Sequence, residues 1–326
     1  MTQPDEPPSA AELLAVRDAM ARQHADALAS IAPAQTIAQR VAVSLITTGE
    51  VLFLGSGSSH LCARMVAPLY RRLGFATQTV TLAEQLDAPQ PLEGRTVLVT
   101  ARSGDGAELH EWLTGAGATA HSFGLTLAPD SFLTRSMPCM IGAGGPETGS
   151  MTVTLALHLA ILAALGDNTA PAEAVLHAPP RPDITPALAM LSGARSIVTL
   201  GQRQHGLAET VALGLCKLLG KPCLPAPCSQ LPNGLGRILA PDVGVIGFRD
   251  RAPRSDPARL PAQLPGLSGA PLVVFDSSGE PPIDGAVTIA FPPLDGLAAT
   301  LAMLSSAQDL VVELAAASLS RAAKAC

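Results

Sequence analysis

Three runs of small and hydroxyl-bearing residues stand where a β-like segment hands over to a helix-like one. The first is Gly55-Ser56-Gly57-Ser58-Ser59, the second is Arg102-Ser103-Gly104-Asp105-Gly106, and the third, after residue 141, ends in Ser150 and Thr152. Glycine lets backbone amides come close to a ligand, hydroxyls add donors, and a helix N-terminus favours negative charge. That chemistry holds an anion, and phosphate is the natural one. Neither the dinucleotide spacing of glycines nor the Gly-Lys-Ser/Thr of a P-loop is present, so the runs do not read as a nucleotide fingerprint. Arg102 adds a charge that can pair with phosphate or a sugar hydroxyl.

Other reactive side chains are scattered. His60 follows the first run, and His205 lies in Gly201-Gln202-Arg203-Gln204-His205-Gly206, where it could line a site. His24 belongs to a leading helix and His158 to an apolar one, where a satisfied buried ring is the ordinary expectation. The six cysteines include no pair at two-residue spacing and no histidine close enough to complete a zinc pattern. They read as reduced core thiols, Cys216 among them, and no metal is expected.

The elements that position these residues follow from the pattern of apolar runs. Spacings of three and four predict a helix over 10–32, broken by Pro33, and a second over 34–47. Short β-branched runs then alternate with helical stretches, beginning at 51–54, 77–80, 96–100, 118–125 and 139–141. Alternation of this kind predicts crossover units and a mostly parallel sheet. After an apolar helix over 151–165 the proline-dense stretch 179–186 marks a junction, and the series restarts at 196–200, 222–224, 243–247, 272–275 and 287–289. Val51 and Ile197 lie 146 positions apart, as do Val97 and Val243. One α/β domain is therefore present twice, with residues 1–178 carrying the leading helices and first copy and 179–326 the second. The stretch 248–265, rich in Arg and Pro, reads as a surface loop or lid.

Composition narrows the function classes. A chain of 326 residues with 48% hydrophobic and 15% charged residues can bury a substantial core. Its net charge of −6 offers no footprint for nucleic acid or an anionic membrane surface, so neither partner is expected. Aromatic residues at 3% argue against stacking platforms for bases or sugars. The acidic, proline-rich start lacks the pattern of a secretory signal, and the cytoplasm is the expected location.

Taken in order, the three runs resemble the sugar isomerase (SIS) domain in its double form, as in the isomerase half of glucosamine-6-phosphate synthase. Ser56-Gly57-Ser58-Ser59 is similar to that family's Cys-Gly-Thr-Ser, Ala101-Arg102-Ser103-Gly104-Asp105-Gly106 to its Ser-Gln-Ser-Gly-Glu-Thr, and Gly145-Pro146-Glu147 with Ser150 and Thr152 to its third loop. The resemblance implies two tandem flavodoxin-like domains, each a mostly parallel five-stranded sheet with helices on both faces. It implies a sugar phosphate held by Ser56, Gly57, Ser58, Ser59, Arg102, Ser103, Gly104, Asp105 and Gly106, with the sugar reaching toward Ser150 and Thr152. It further implies a homodimer and no cofactor.

Such an isomerase or deaminase moves a proton next to the sugar carbonyl and needs a positioned base. By resemblance Glu209 matches one family glutamate, while the base position falls on Cys216 and the family histidine on Asn233. Asparagine hydrogen-bonds but does not exchange protons near neutral pH. Two readings follow: an enzyme using Glu209, Glu147 or a histidine with Asn233 assisting, which is preferred, and a phosphosugar-binding or regulatory protein without turnover. An unrelated nucleotide-binding protein is the third and weakest.

Overall fold

A computed structural model describes residues 9–115, 117–144, 150–251 and 269–325. It divides into two compact units, one of Ala19–Ala178 and the other comprising the described residues of Met1–Asp18 and Pro179–Cys326. Helix α1 (Ala10–Thr48) crosses that division and continues through Pro33. The expected break is therefore absent. Proline in a helix costs about 3 kcal/mol, but Ala27, Ser30, Ala34, Ala38, Val41, Ala42 and Leu45 keep one face buried on both sides of it. Continuous burial outweighs one lost hydrogen bond.

In the unit of Ala19–Ala178 the chain continues as β1 (Glu50–Gly55), α2 (Ser58–Arg72), β2 (Ala76–Thr81), α3 (Leu82–Asp87), β3 (Thr96–Thr100) and α4 (Ala107–Gly115). It goes on through β4 (Ser122–Thr126), α5 (Phe132–Ser136), β5 (Cys139–Ile141), α6 (Ser150–Ala164) and α7 (Ala170–His177). The five strands pair in the order β2-β1-β3-β4-β5, all parallel. Burial on both faces explains the apolar runs of the central strands β1 and β3, which are covered along nearly all their length, as β4 is. Leu52, Leu54, Val97 and Val99 meet Leu109 and Trp112 of α4 on one face. The other face carries Phe53 against Tyr70 of α2 and His158 of α6, and the His158 Nδ1 lies 3.0 Å from the Tyr70 hydroxyl. Burial pushes the His158 ring down to about 3, so it is neutral and structural.

The other unit contains α8 (Thr185–Leu191), β6 (Ser196–Gly201), α9 (His205–Leu219), β7 (Cys223–Ala226), β8 (Val243–Asp250), β9 (Leu272–Ser277), β10 (Val287–Ala290) and α10 (Gly296–Ala325). Its sheet runs β7-β6-β8-β9-β10, again all parallel and in the same topological order as the first. Both sheets thus have the 2-1-3-4-5 order of flavodoxin-like folds, whose ligand crevice opens where the order reverses. Part of the stretch read as a lid is strand: Phe248, Arg249 and Asp250 complete β8 and are buried. Residues 252–265 of that stretch lie outside the described residues. Helix α10 is long and apolar enough to cross a membrane by length and composition, and 83% of its apolar window is buried within the fold.

Candidate functional site

At the carboxyl edge of the first sheet, β1 and β3 mark the reversal, and two of the three runs leave from them. Gly55 and Thr100 face each other across the register. A Cβ on Gly55 would lie 3.1 Å from the His60 amide nitrogen, Ser59 Cβ and the Thr100 carbonyl, so glycine sets how tightly α2 begins over the strand. Gly57 follows with φ +54, a conformation glycine adopts without strain. Its position caps α2 without any side-chain hydrogen bond to the first amides. Ser58 and Ser59, both half-buried, make no side-chain hydrogen bond with the described residues. Thr100, 3% exposed, likewise has an unpartnered hydroxyl. The Ser59 amide donates to the Ser56 carbonyl at 3.2 Å, but no side chain caps the helix, and such a start with unspent hydroxyls beside it is suited to an external anion.

The second run is held from below. The Leu127 amide and Thr126 hydroxyl both donate to the Arg102 carbonyl, at 3.0 and 3.1 Å, and the Leu133 amide donates to the Gly104 carbonyl at 3.0 Å. Asp105 accepts from the Phe132 amide at 2.9 Å and faces the His110 ring, which stacks on Phe132. Gly104, φ +66, packs so closely that a Cβ would sit 2.2 Å from Ser131 Oγ. With its backbone fixed, the loop leaves Arg102 and Ser103 exposed. The guanidinium of Arg102 makes no ion pair with the described residues. Gly106 has open space where a Cβ would be, so no packing contact requires glycine there.

One contact between the two runs was not foreseen. The exposed Ser56 hydroxyl donates to the carboxylate of Glu108 in the first turn of α4. Ser56 is therefore not a free donor, and a carboxylate stands beside the loop that leads into α2. Nothing in the local spacing identifies Glu108 as its partner, since 52 positions separate them.

The third run contributes less. Residues 145–149, Glu147 among them, lie outside the described residues, and Ser150 begins α6. Thr152 is completely buried and donates to Gln23 Oε1 at 2.6 Å, with Gln23 itself 2% exposed. Its hydroxyl is committed to the packing of α6 on α1.

The remaining candidates belong to the other unit. His205 opens α9 at the carboxyl edge of β6, and its Nε2 lies 3.4 Å from Glu209 Oε1, one helical turn on. These side chains are 24% and 12% exposed, so the pair is largely shielded from water. Asn233 lies in the loop after β7, exposed, its amide donating to the Ser229 carbonyl at 3.0 Å. Cys216 is exposed on α9, contrary to the expectation of a buried thiol. It neighbours Cys223, whose thiol burial pushes up to about 12 with a further push from Cys216.

No family model matches the chain, and no curated protein matches it by sequence. Solved structures do match in three dimensions. The tagatose-6-phosphate ketose/aldose isomerase of Escherichia coli superposes with a TM-score of 0.76 at 15% identity, covering 96% of each chain. The C-terminal domain of glucosamine-fructose-6-phosphate aminotransferase from Francisella tularensis gives 0.74 at 13% identity over 93% of this chain and 94% of that one. The glucosamine-6-phosphate deaminase of Thermotoga maritima gives 0.65 at 18%, over 91% and 95%. Likeness at these identities establishes a shared fold along nearly the whole chain.

Proposed function

We propose that the β1/β3 crevice binds a sugar phosphate and that the chain is a phosphosugar isomerase or deaminase in type. The observation that carries the reading is the start of α2, which no side chain caps, where the Ser58 and Ser59 hydroxyls have no partner among the described residues and Arg102, on the loop from the neighbouring strand, makes no ion pair with them. An anion there gains backbone amides, hydroxyls and a helix dipole contributing roughly 0.3–1 kcal/mol. The names of the superposing structures, an isomerase, an aminotransferase and a deaminase of sugar 6-phosphates, support the same substrate class.

For the proton transfer the reading assigns Glu209 as base and His205 as the group that orients it. The shielded 3.4 Å contact between them supports this, because a water-poor carboxylate with an imidazole partner suits acid/base work. As in the resemblance, the protein would act as a cytoplasmic homodimer without a cofactor. A second reading, binding without turnover, is favoured by the exposed Asn233, whose amide is spent on its own loop, and by the exposed thiol at Cys216.

Calorimetry with fructose 6-phosphate, glucose 6-phosphate and glucosamine 6-phosphate tests the site. Binding is expected for at least one and is lost in the Ser58→Ala/Ser59→Ala double variant; no heat with any of them rejects the proposal. Exchange of the C2 proton in heavy water, followed by NMR, separates turnover from binding. Its absence despite binding selects the second reading.

A further inference from the structure

Because the two sheets share one strand order, each crest position in one unit has a counterpart in the other. Gly55 faces Thr100, and Gly201 faces Phe248. Counting on from those pairs, Gly57 corresponds to Arg203, Ser58 to Gln204, Ser59 to His205, and Arg102 to Asp250. The free cation of the first crest is thus replaced by a carboxylate in the second. Asp250 is 6% exposed, and its Oδ2 accepts from Gln204 Nε2 at 3.1 Å and lies 3.4 Å from Arg203 Nε. The other end of the Gln204 amide is also used, its oxygen accepting from the Thr300 hydroxyl at 2.9 Å. Two elements of an anion site, a cation and an amide donor, thus meet just before α9, and both are directed at an anion supplied by the chain.

We infer that Asp250 is an internal anion occupying the second crest, so that this unit takes no external phosphate. The inference rests on reading the first crest as an anion site, and the two crests differ in how firmly their own carboxylate is held. Glu108 in the first is reached by one exposed hydroxyl, Ser56, and a ligand can displace it. Asp250 is buried among Arg203, Gln204 and, through Gln204, Thr300, with Asp295 as the further charged group near it. Burial raises its carboxyl above the usual range while Arg203 and Gln204 oppose that rise, as expected for a buried charge met by partners.

Amide-resolved NMR titration of the full chain with inorganic phosphate tests this. In the parent protein, shifts are expected at residues 57–60 and 102–104 and none at 202–205. Asp250→Asn keeps the shape and the contact with Gln204 but releases Arg203, and it is expected to add phosphate-dependent shifts at 203–205 with an affinity at least tenfold above any parent signal there. Parent shifts at 202–205 matching those of the first crest overturn the inference, as does a folded Asp250→Asn without new shifts; Asp250→Ser serves if Asp250→Asn does not fold. Silence at the first crest in all proteins rejects the proposed function instead, and the Asp250→Asn response still decides the second crest.

Discussion

Replacing Gly104 by alanine attacks the second loop at its narrowest point. At φ +66 an alanine pays for a left-handed backbone, about 1–2 kcal/mol. Its Cβ would also lie 2.2 Å from Ser131 Oγ and 2.4 Å from Ser131 Cβ, inside any van der Waals contact. Ser131 is 1% exposed and cannot swing into water, and its hydroxyl is the N-cap of α5, accepting from the Thr134 amide. Displacing it removes that cap at roughly 0.5–2 kcal/mol, and pulling the loop away weakens the Leu133 amide bond to the Gly104 carbonyl, roughly 0.5–1.5 kcal/mol. The sum is about 2–5 kcal/mol. Trp112, the single tryptophan and 1% exposed, sits on the neighbouring α4 and reports unfolding of this unit by fluorescence. With an m-value of about 2 kcal/mol/M, the urea midpoint should fall by about 1–2.5 M. The companion Gly104→Ala/Ser131→Gly removes the collision but keeps the backbone strain, so it should recover part of the loss. A midpoint for Gly104→Ala within about 0.3 M of the parent, or strictly additive effects in the double variant, would refute the argument that this contact fixes the loop.

Glu108→Gln removes the carboxylate beside the proposed anion site and should tighten phosphosugar binding about fivefold by calorimetry, a gain near 1 kcal/mol. Arg102→Ala should weaken it about tenfold or more, since hydrogen bonds to charged groups contribute roughly 1.5–3 kcal/mol; its heat of unfolding should not change. Thr152→Val leaves the buried Gln23 oxygen without its donor and should cost about 1–3 kcal/mol in urea unfolding. The folded unit holds His158 near 3 while the unfolded chain titrates near 6.5, so between those values the unfolded state takes up a proton that the folded one refuses. Stability is therefore full above about pH 6.5 and declines as pH falls, by about 2 kcal/mol from pH 7 to pH 5. His158→Leu should remove that part of the pH dependence, measured by Trp112 fluorescence in urea.

The architecture was largely legible because the signals that make it are local. The central strands are buried along nearly all their length, so they read as short apolar runs, and the handover to a helix follows within a few residues, as from Leu54 through Gly57 to Ser58. The 146-position offset between Val51 and Ile197 is visible for the same reason: both lie in the β-strand nearest the crossover reversal of their sheets. Pro33 misled because local propensity favours a break there, whereas what decides is a buried face running on through Ala34, Ala38 and Leu45. That face exists only after the helix has packed.

The site divides along the same line. Hydroxyls at a helix start are visible in the sequence, but whether each is free depends on residues far away. Ser58 and Ser59 are free of described partners, Thr152 is spent on Gln23, 129 positions off, and Ser56 is engaged by Glu108. The two units make the point within one chain. Both place a helix start at the carboxyl edge of the strand beside the reversal, yet Ser58 is unspent where Gln204 bonds Asp250 and Thr300. The fold supplies the position in both, and what distinguishes them is the tally of satisfied donors, on which the proposed phosphate site and the inferred internal anion both rest. Substitutions that alter that tally without touching the backbone, such as Asp250→Asn and Glu108→Gln, should therefore change anion binding while leaving both sheets intact.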